Sequence, residues 1–308
     1  MKAGLRRALR LLRLAVHLAV GAALVKVFFF RCSHATRCAV RARWCRQALA
    51  MLGVQLRVVG AVPTNCHLFA ANHISWLDVI AIGAVLPCWY VSKDEIRAWP
   101  FFGWMAGAND TLFLRRRSAR AVYQMNAAIR MRLEEGESVV VFPEGTTTDG
   151  TKVLPFYPAL FQPAIDTAMP VLPLAISYLD DTSAAATAVA YIDDEPAWTS
   201  LRAVLDAPRT EVRLELDQAL AGEKHTRREL ASQSCHAIRR LRSLQEEPRA
   251  VEQSTSTPVF GLPLQPLGMN QTVVACALTR PAHSPRMPAQ PPSIYRGSPA
   301  TGSDLRSQ

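Results

Sequence analysis

The fold is best predicted from His67–Asp78, HLFAANHISWLD, in which a short apolar run leads into a polar turn. His67–Ala71 predicts a buried strand, and a helix is predicted to begin at Trp76. On one continuous helix, residues five apart point about 140° from each other, so His73 and Asp78 would not meet. They meet only if His73 ends the strand and Asp78 lies in the first helical turn. That edge is where open α/β sheets bind ligands.

His73 and Asp78 form a minimal pair for activating a hydroxyl group. An imidazole can remove a proton near neutral pH, and a carboxylate can hold its tautomer and stabilise the imidazolium that forms. A purely structural explanation is also open, because Ser75-Trp76-Leu77-Asp78 matches a helix capping box. The two interpretations are compatible, since a cap also immobilises Asp78.

Strands and helices alternate on both sides of this stretch. The patterns predict further strands over Val54–Val59, Trp89–Ser92, Thr111–Leu114, Ser138–Phe142, Leu172–Ser177, Val189–Ile192 and Val212–Leu216. Helices are predicted from Trp76 to about Val85, from Ser118 to Glu135 and from about Lys224 to Leu244. Apolar strands alternating with helices indicate an α/β domain whose central sheet is mainly parallel and flanked by helices.

Three regions differ in composition. Residues 1–50 predict a basic and apolar helical segment that associates with a membrane, and residues 51–247 form the predicted α/β domain. Residues 248–308 hold ten of the 21 prolines and show no sustained periodicity, which predicts a disordered C-terminal tail.

The N-terminal segment carries its charges on one side. Lys2, Arg6, Arg10, Arg13 and His17 recur at intervals of 3 or 4 residues, and the other side is Leu, Ala and Val. The uncharged stretch is short of the roughly 20 residues that span a bilayer. An interfacial anchor is therefore predicted, with a single span and a cleaved signal peptide as alternatives.

Charge and cysteine content narrow the class of protein further. Residues 1–77 hold twelve Lys and Arg but no Asp or Glu, and these basic residues alternate with apolar ones. That mixture favours a membrane surface over nucleic acid as the partner. The seven cysteines are odd in number and show no CxxC spacing, so reduced thiols are predicted, with neither a metal site nor a disulfide framework.

Two further segments could contribute to a site. Phe142–Gly145 leaves a fully apolar strand and could supply backbone N–H groups to an oxyanion, although it also fits an ordinary strand exit with a solvated Glu144. Phe113–Arg117 ends in three arginines that could bind phosphate, or could form a solvated basic edge near lipid headgroups.

Together these segments resemble the glycerolipid acyltransferases typified by 1-acyl-sn-glycerol-3-phosphate acyltransferase. That family has four blocks in order, and they match Asn72–Asp78, Phe113–Arg116, Phe142–Gly145 and the strand Pro170–Leu174. The resemblance covers roughly residues 50–220. It implies that His73 is the general base and Asp78 its partner. It also implies a substrate-binding set made of Phe113, Arg116, Glu144, Gly145 and Thr146.

The chain departs from the family pattern at positions that bear on the acceptor. Asp110 stands where the family usually has glycine, and Arg115 where it usually has an acidic residue. Thr147 replaces an arginine that is expected to help hold the acceptor's phosphate. Glu95–Pro100 is similar to bacterial members that acylate lyso-ornithine lipid, which has no phosphate. The predicted acceptor is 1-acyl-sn-glycerol-3-phosphate, with lyso-ornithine lipid as the alternative.

The resemblance implies acyl transfer from acyl-CoA or acyl carrier protein to a lysolipid hydroxyl, with no cofactor. Because such donors are cytosolic, the expected location is the cytoplasmic face of the inner membrane. Two other classes remain open: a metal-dependent phosphoesterase that uses His73, Asp78 and Glu144 as ligands, and a membrane-binding module without catalysis. The oligomeric state is not predicted.

Overall fold

The computed structural model describes residues 2–97, 102–114, 119–182, 184–192 and 196–246. Its seven strands are β1 Val54–Val59, β2 Leu68–Ala71, β3 Cys88–Lys93, β4 Thr111–Leu114, β5 Ser138–Val141, β6 Val171–Leu179 and β7 Thr210–Leu216. The α-helices are α1 Lys2–Phe28, α2 His34–Leu52, α3 Leu77–Gly83, α4 Asp94–Arg97, α5 Phe102–Ala108, α6 Ala119–Glu134, α7 Gln162–Asp166, α8 Ala197–Asp206 and α9 Arg227–Glu246.

The strands form one sheet in the order β1-β7-β6-β2-β5-β3-β4. All neighbours pair in parallel except β6 and β7, which pair antiparallel. The prediction of a mainly parallel sheet flanked by helices is confirmed. Because β2 and β5 are parallel neighbours, the segments that follow them leave the same edge of the sheet side by side.

Side chains alternate between two apolar layers, one on each face of the sheet. In β2, Phe69 packs on the α3 side and Leu68 on the opposite side, and both are fully buried. In β5, Val140 belongs to the first layer and Val139 to the second. Burial on both faces explains why these strands are apolar without polar alternation.

The predicted strand Val189–Ile192 is wrong. A short 3₁₀ helix covers Thr187–Val189, and the backbone N–H of Tyr191 donates to the carbonyl of Ile74 at 2.9 Å. The segment is apolar because it covers the turn after β2, with Val189 fully buried, and not because it joins the sheet. Periodicity alone does not separate these two cases.

Three predictions lie outside the described residues. They concern Arg115–Ser118, the Ala98–Pro100 part of the segment similar to lyso-ornithine lipid acyltransferases, and the tail 248–308.

Helix α1 turns Arg6, Arg7 and Arg10 toward the domain, whereas Arg13 is exposed. Arg6 donates to the carbonyl of Asp206 at 2.8 Å, and Arg10 donates to the carbonyl of Ala207, also at 2.8 Å. Arg7 forms an ion pair with the Asp206 carboxylate at 3.0 Å. These arginines lie at the C-terminal end of α8, where carbonyl groups lack helical partners and positive charge is favoured.

The apolar side of α1 faces outward. Leu5 is 73% exposed and Leu12 is 63% exposed, and the same stripe continues through Leu9, Val16 and Val20. Gly4–Phe28 is long and apolar enough to cross a bilayer by length and composition alone. Exposed apolar side chains at helical spacing are typical of a helix that lies against lipid.

Helix α2 is held to the far end of the sheet by a buried ion pair. Arg41 Nη1 lies 2.6 Å from Asp110 Oδ2, and both residues are buried. Asp110 precedes β4 and adopts a φ of 59°, in the left-handed region that favours glycine. This backbone conformation would suit the glycine that the resemblance implies at this position, while the aspartate here pairs with Arg41.

Asp110→Asn should lower the free energy of unfolding by about 3 kcal/mol, because it leaves the buried Arg41 guanidinium without its carboxylate. Asparagine keeps the size of the side chain and tolerates positive φ. Urea unfolding followed by circular dichroism measures the change. Glu134→Gln, in the exposed pair with Arg130, is the control and should change stability little. An Asp110→Asn variant as stable as the parent would contradict the role given to this pair.

Candidate active site

The structure brings His73 and Asp78 together at the C-terminal end of β2. His73 lies in the turn after the strand, and Asp78 is the second residue of α3. His73 Nδ1 lies 2.7 Å from Asp78 Oδ2, which is a short hydrogen bond. The strand-end position that their spacing required is the one observed.

Asp78 is fully buried, and its carboxylate is surrounded by donors. Oδ2 accepts hydrogen bonds from the backbone N–H groups of Ile74 at 2.8 Å and Ser75 at 3.0 Å, in addition to His73. Oδ1 accepts one from the Tyr178 hydroxyl at 2.7 Å. The bond from Ser75 N–H is one half of the predicted capping box; in place of the other half, the Ser75 hydroxyl oxygen accepts from the Leu77 N–H at 3.4 Å. The cap and the catalytic pair therefore share the same carboxylate oxygen.

The imidazole of His73 is oriented by both an acid and an aromatic ring. Because Nδ1 donates to Asp78, the tautomer that this contact favours leaves Nε2 able to accept a proton. The ring stacks on Phe142 with centroids 4.0 Å apart and planes 17° from parallel. The His73 side chain is 20% exposed, so the base can be reached from outside.

The Glu144 carboxylate accepts hydrogen bonds from backbone N–H groups of the site. It is 4% exposed, and Oε1 accepts from the His73 N–H at 2.8 Å while Oε2 accepts from the Leu154 N–H at 2.8 Å. Burial raises the pKa of this carboxyl above its usual value. The solvated Glu144 considered from the sequence is therefore wrong, and both of its oxygens already hold backbone groups.

The loop after β5 also holds the carbonyl of His73. The Thr148 N–H donates to that carbonyl at 2.9 Å, so Glu144 and Thr148 together fix both backbone polar groups of His73. Gly145 adopts a φ of 74°, and its N–H donates to the Phe142 carbonyl at 3.1 Å. A Cβ at Gly145 would lie 2.9 Å from the Tyr157 ring, which is a second reason for glycine. Thr146 is exposed beside it.

The second block lies farther along the same edge of the sheet. Phe113 is half-buried on β4, and β5 and β3 lie between β4 and β2. Three strand spacings amount to roughly 14 Å. A bound lipid substrate can span that distance, whereas two side chains cannot contact each other across it. Arg116 lies outside the described residues, so its role stays a prediction.

The fourth block forms the first part of β6, beside β2. Asn72 joins the two strands where β2 ends, because Nδ2 donates to the Ile176 carbonyl at 3.0 Å and Oδ1 accepts from the Ile176 N–H at 2.7 Å. Sequence reasoning did not identify the roles of Asn72, Thr148 or Tyr178. The signal for Tyr178 was its alternation with Ile176, which places both residues on the face packed against α3.

Among the described residues, one group has a geometry that could hold a metal ion: His34, Cys38 and Asp110. It lies at α2 and β4, away from the His73 pair. Its carboxylate oxygen already contacts Arg41 at 2.6 Å, and that positive charge opposes a cation.

Glu144→Gln should lower kcat about tenfold and lower the melting temperature, while KM for the acceptor stays unchanged. Glutamine keeps one acceptor atom but turns an NH₂ group toward a backbone N–H, which leaves a buried donor unsatisfied. Steady-state kinetics and thermal unfolding measure both effects. Glu223→Gln, which changes an exposed carboxylate, is the control. A higher KM with an unchanged melting temperature would indicate instead that Glu144 contacts substrate.

Comparison with known proteins places this geometry in a family. Residues 55–177 match the family model described as Acyltransferase. The lyso-ornithine lipid O-acyltransferase of Pseudomonas aeruginosa is 36% identical over 196 residues, which cover 64% of this chain and 75% of that protein. The 1-acyl-sn-glycerol-3-phosphate acyltransferase of Neisseria gonorrhoeae is 41% identical over 148 residues, or 47% of this chain and 58% of that protein.

The fold has a solved counterpart. The crystal structure of the 1-acyl-sn-glycerophosphate acyltransferase from Thermotoga maritima aligns with a TM-score of 0.55 and 20% identity, covering 77% of this chain and 98% of that one. At that identity the likeness concerns the fold alone. The family model and the coverage of the Pseudomonas relative decide the assignment: this chain belongs to the acyltransferase family.

Proposed function

We propose that this acyltransferase moves a fatty acyl group from an acyl thioester to a hydroxyl of a membrane lysolipid. The observation that carries the proposal is the 2.7 Å contact between His73 and the buried Asp78, at the binding edge of the sheet. The relatives named above support a lysolipid as acceptor, because both of their names specify one.

In the proposed reaction, His73 Nε2 removes the proton of the acceptor hydroxyl as its oxygen attacks the thioester carbonyl carbon. The carbon–sulfur bond then breaks, and the departing thiolate takes the proton back from the imidazolium. Asp78 stabilises the imidazolium between these two steps. The thioester is already activated, so the proposed transfer needs no covalent acyl-enzyme and no cofactor.

The donor is proposed to be acyl-CoA or acyl carrier protein. Backbone N–H groups of the loop after β5 are the candidates for stabilising the oxyanion of the tetrahedral intermediate. Since the Gly145 N–H already donates to the Phe142 carbonyl, this role falls first to the N–H groups of the exposed Thr146 and the half-buried Thr147.

For the acceptor, we propose 1-acyl-sn-glycerol-3-phosphate, with lyso-ornithine lipid as the second candidate. The Neisseria relative's name supports the first, and the Pseudomonas relative's name supports the second. Thr147 favours the second candidate, because it offers no positive charge to a phosphate at a position where the family usually has arginine.

The test is to incubate the purified enzyme with labelled acyl-CoA and each lysolipid separately, and to resolve the products by chromatography. Thr147→Arg serves as the matched variant. If the phosphate acceptor is the natural one, the parent should acylate it well without the arginine. Turnover of lyso-ornithine lipid alone, with a gain of phosphate-acceptor activity in Thr147→Arg, would establish the second candidate. Turnover of neither lipid would contradict the proposal.

We further propose that α1 attaches the enzyme to the cytoplasmic face of the inner membrane. The outward apolar stripe supports attachment, and the cytosolic origin of acyl-CoA and acyl carrier protein supports that side. With Arg6, Arg7 and Arg10 held by the domain, the helix presents its stripe of Leu and Val to the lipid.

Changing Leu5 and Leu12 together to glutamate should reduce binding to lipid vesicles at least about tenfold, because charged groups replace apolar area that would leave water. Vesicle flotation measures the bound fraction. Val62→Glu is the control, since Val62 is 41% exposed but lies outside α1. Equal flotation of the double variant and the parent would show that α1 is not the attachment surface.

A further inference from the structure

Tyr178 reaches the catalytic pair from a strand that the family motifs leave unassigned beyond its first residues. We propose that Tyr178 is a positioning residue for acyl transfer, whose hydroxyl orients the Asp78 carboxylate and through it the His73 base. This inference rests on the roles proposed above for His73 and Asp78.

The topology explains how a residue so distant in sequence reaches this site. The register of β2 and β6 ends with Ala71 opposite Leu174, where β2 stops. Strand β6 continues from Ala175 to Leu179, where it pairs with β7 on its other side and where the Tyr178 carbonyl accepts from the Ala186 N–H at 2.9 Å. The extension runs beside the turn that carries His73, and Tyr178 points to the face on which α3 packs.

The carboxylate of Asp78 divides its hydrogen bonds unevenly between its oxygens. Oδ2 accepts from His73 Nδ1 and from two backbone N–H groups, while the contact recorded for Oδ1 comes from Tyr178 at 2.7 Å. Asp78 is fully buried and Tyr178 is 4% exposed, so bulk water does not substitute for this donor. An ionised oxygen in such a place requires a hydrogen bond.

The hydroxyl has two effects on the base. It fixes the rotation of the carboxylate, so that Oδ2 stays directed at His73 Nδ1. It also shares the negative charge of the Asp78 carboxylate, so that less of this charge lies on Oδ2 beside the imidazole. Burial and the neighbouring Asp78 raise the pKa of the phenol well above its usual value, so Tyr178 remains a donor at physiological pH.

Tyr178→Phe should lower kcat about tenfold with little change in KM, because the carboxylate loses its fixed orientation. The low-pH midpoint of kcat/KM should also move to higher pH. Without the donor, negative charge concentrates on Oδ2 and favours the protonated imidazole, so a higher pH is needed to free the base. A merely structural loss lowers activity at every pH and leaves the midpoint in place.

Tyr90→Phe is the matched control. Tyr90 is equally buried, and its hydroxyl donates to the Val79 carbonyl of the same helix α3 at 3.1 Å. Tyr90→Phe therefore removes a comparable hydrogen bond to α3 and leaves the contacts of the Asp78 carboxylate unchanged. Its kcat/KM midpoint should match that of the parent. Thermal unfolding of both variants shows whether they fold equally well.

Site-specific replacement of Tyr178 by 3-fluorotyrosine keeps the packing and makes the phenol a stronger donor, so the midpoint should move to lower pH. In an Asp78→Asn background, Tyr178→Phe should have no further effect on kcat. The inference would be overturned if Tyr178→Phe kept the kcat and the pH midpoint of the parent. It would also be overturned if Tyr178→Phe lost activity but kept the same pH midpoint as Tyr90→Phe. If Asp78→Asn itself retains full turnover, the proposed mechanism fails, and this inference fails with it.

Discussion

His73→Ala should lose most acyl transfer, with kcat falling by ~10²–10⁴, the usual contribution of general-base assistance. The substitution removes Nε2, the atom proposed to take the hydroxyl proton. It should leave KM for the donor and vesicle binding near those of the parent, because His73 is partly exposed and α1 is untouched. Initial rates with labelled acyl-CoA measure the loss.

His236→Ala is the control for this experiment, since it removes an exposed histidine from α9. Vesicle flotation and circular dichroism establish that both variants are folded and attached. Parental turnover by a folded His73→Ala protein would eliminate His73 as the base. A parent protein that binds vesicles but transfers no acyl group would instead revive the alternative of a membrane-binding module. Activity that a chelator abolishes would instead revive the metal-dependent phosphoesterase.

Asp78→Asn should be as damaging, with kcat lower by about 10⁴ if the wrong tautomer of the base is favoured. An NH₂ group at the Oδ2 position would donate to His73 Nδ1, which places the ring proton on Nε2 and blocks the base. An amide oxygen there would keep the tautomer but remove the charge that stabilises the imidazolium. The backbone N–H groups of Ile74 and Ser75 can only donate and both meet at Oδ2, so an NH₂ group at that position leaves them unsatisfied.

The same change should also reduce stability, and the two effects can be separated. Asp78→Ala removes the negative charge without adding an NH₂ group, so no donor forces the ring proton of His73 onto Nε2. It also leaves the N–H groups of the turn without their carboxylate acceptor. Greater activity in Asp78→Ala than in Asp78→Asn would confirm the tautomer argument. Asp166→Asn on α7 is the control for a change of charge. If all three variants keep parental kcat, Asp78 has no part in the reaction.

The local pattern of the chain was sufficient to predict most of the sheet. Thr111–Leu114 and Val54–Val59 are strands with the predicted bounds, because short apolar runs between turn residues are reliable signals of buried strands. The predicted strand at Val189–Ile192 shows the limit of that signal. Its residues are apolar for burial against the turn at Ile74, which no local pattern reveals.

The contacts of the site also divide into those that a local pattern predicts and those that depend on the fold. The His73–Asp78 contact joins residues five apart, so helix geometry alone restricted where it could form. Tyr178 contacts Asp78 across 100 residues, and that contact depends on the strand order and on the length of β6. Glu144 was expected to face the acceptor, whereas its oxygens hold backbone N–H groups, a role that depends on where the neighbouring turn lies.

The inward turn of the basic side of α1 has a consequence for how the enzyme meets a bilayer. Arg6, Arg7 and Arg10 are engaged with the end of α8, so their charges contribute less to attraction by anionic headgroups. Attachment through Leu and Val depends on the area removed from water, and added salt does not screen that contribution. Binding should therefore persist at high ionic strength and on neutral lipid, and detergent should release the enzyme more readily than salt.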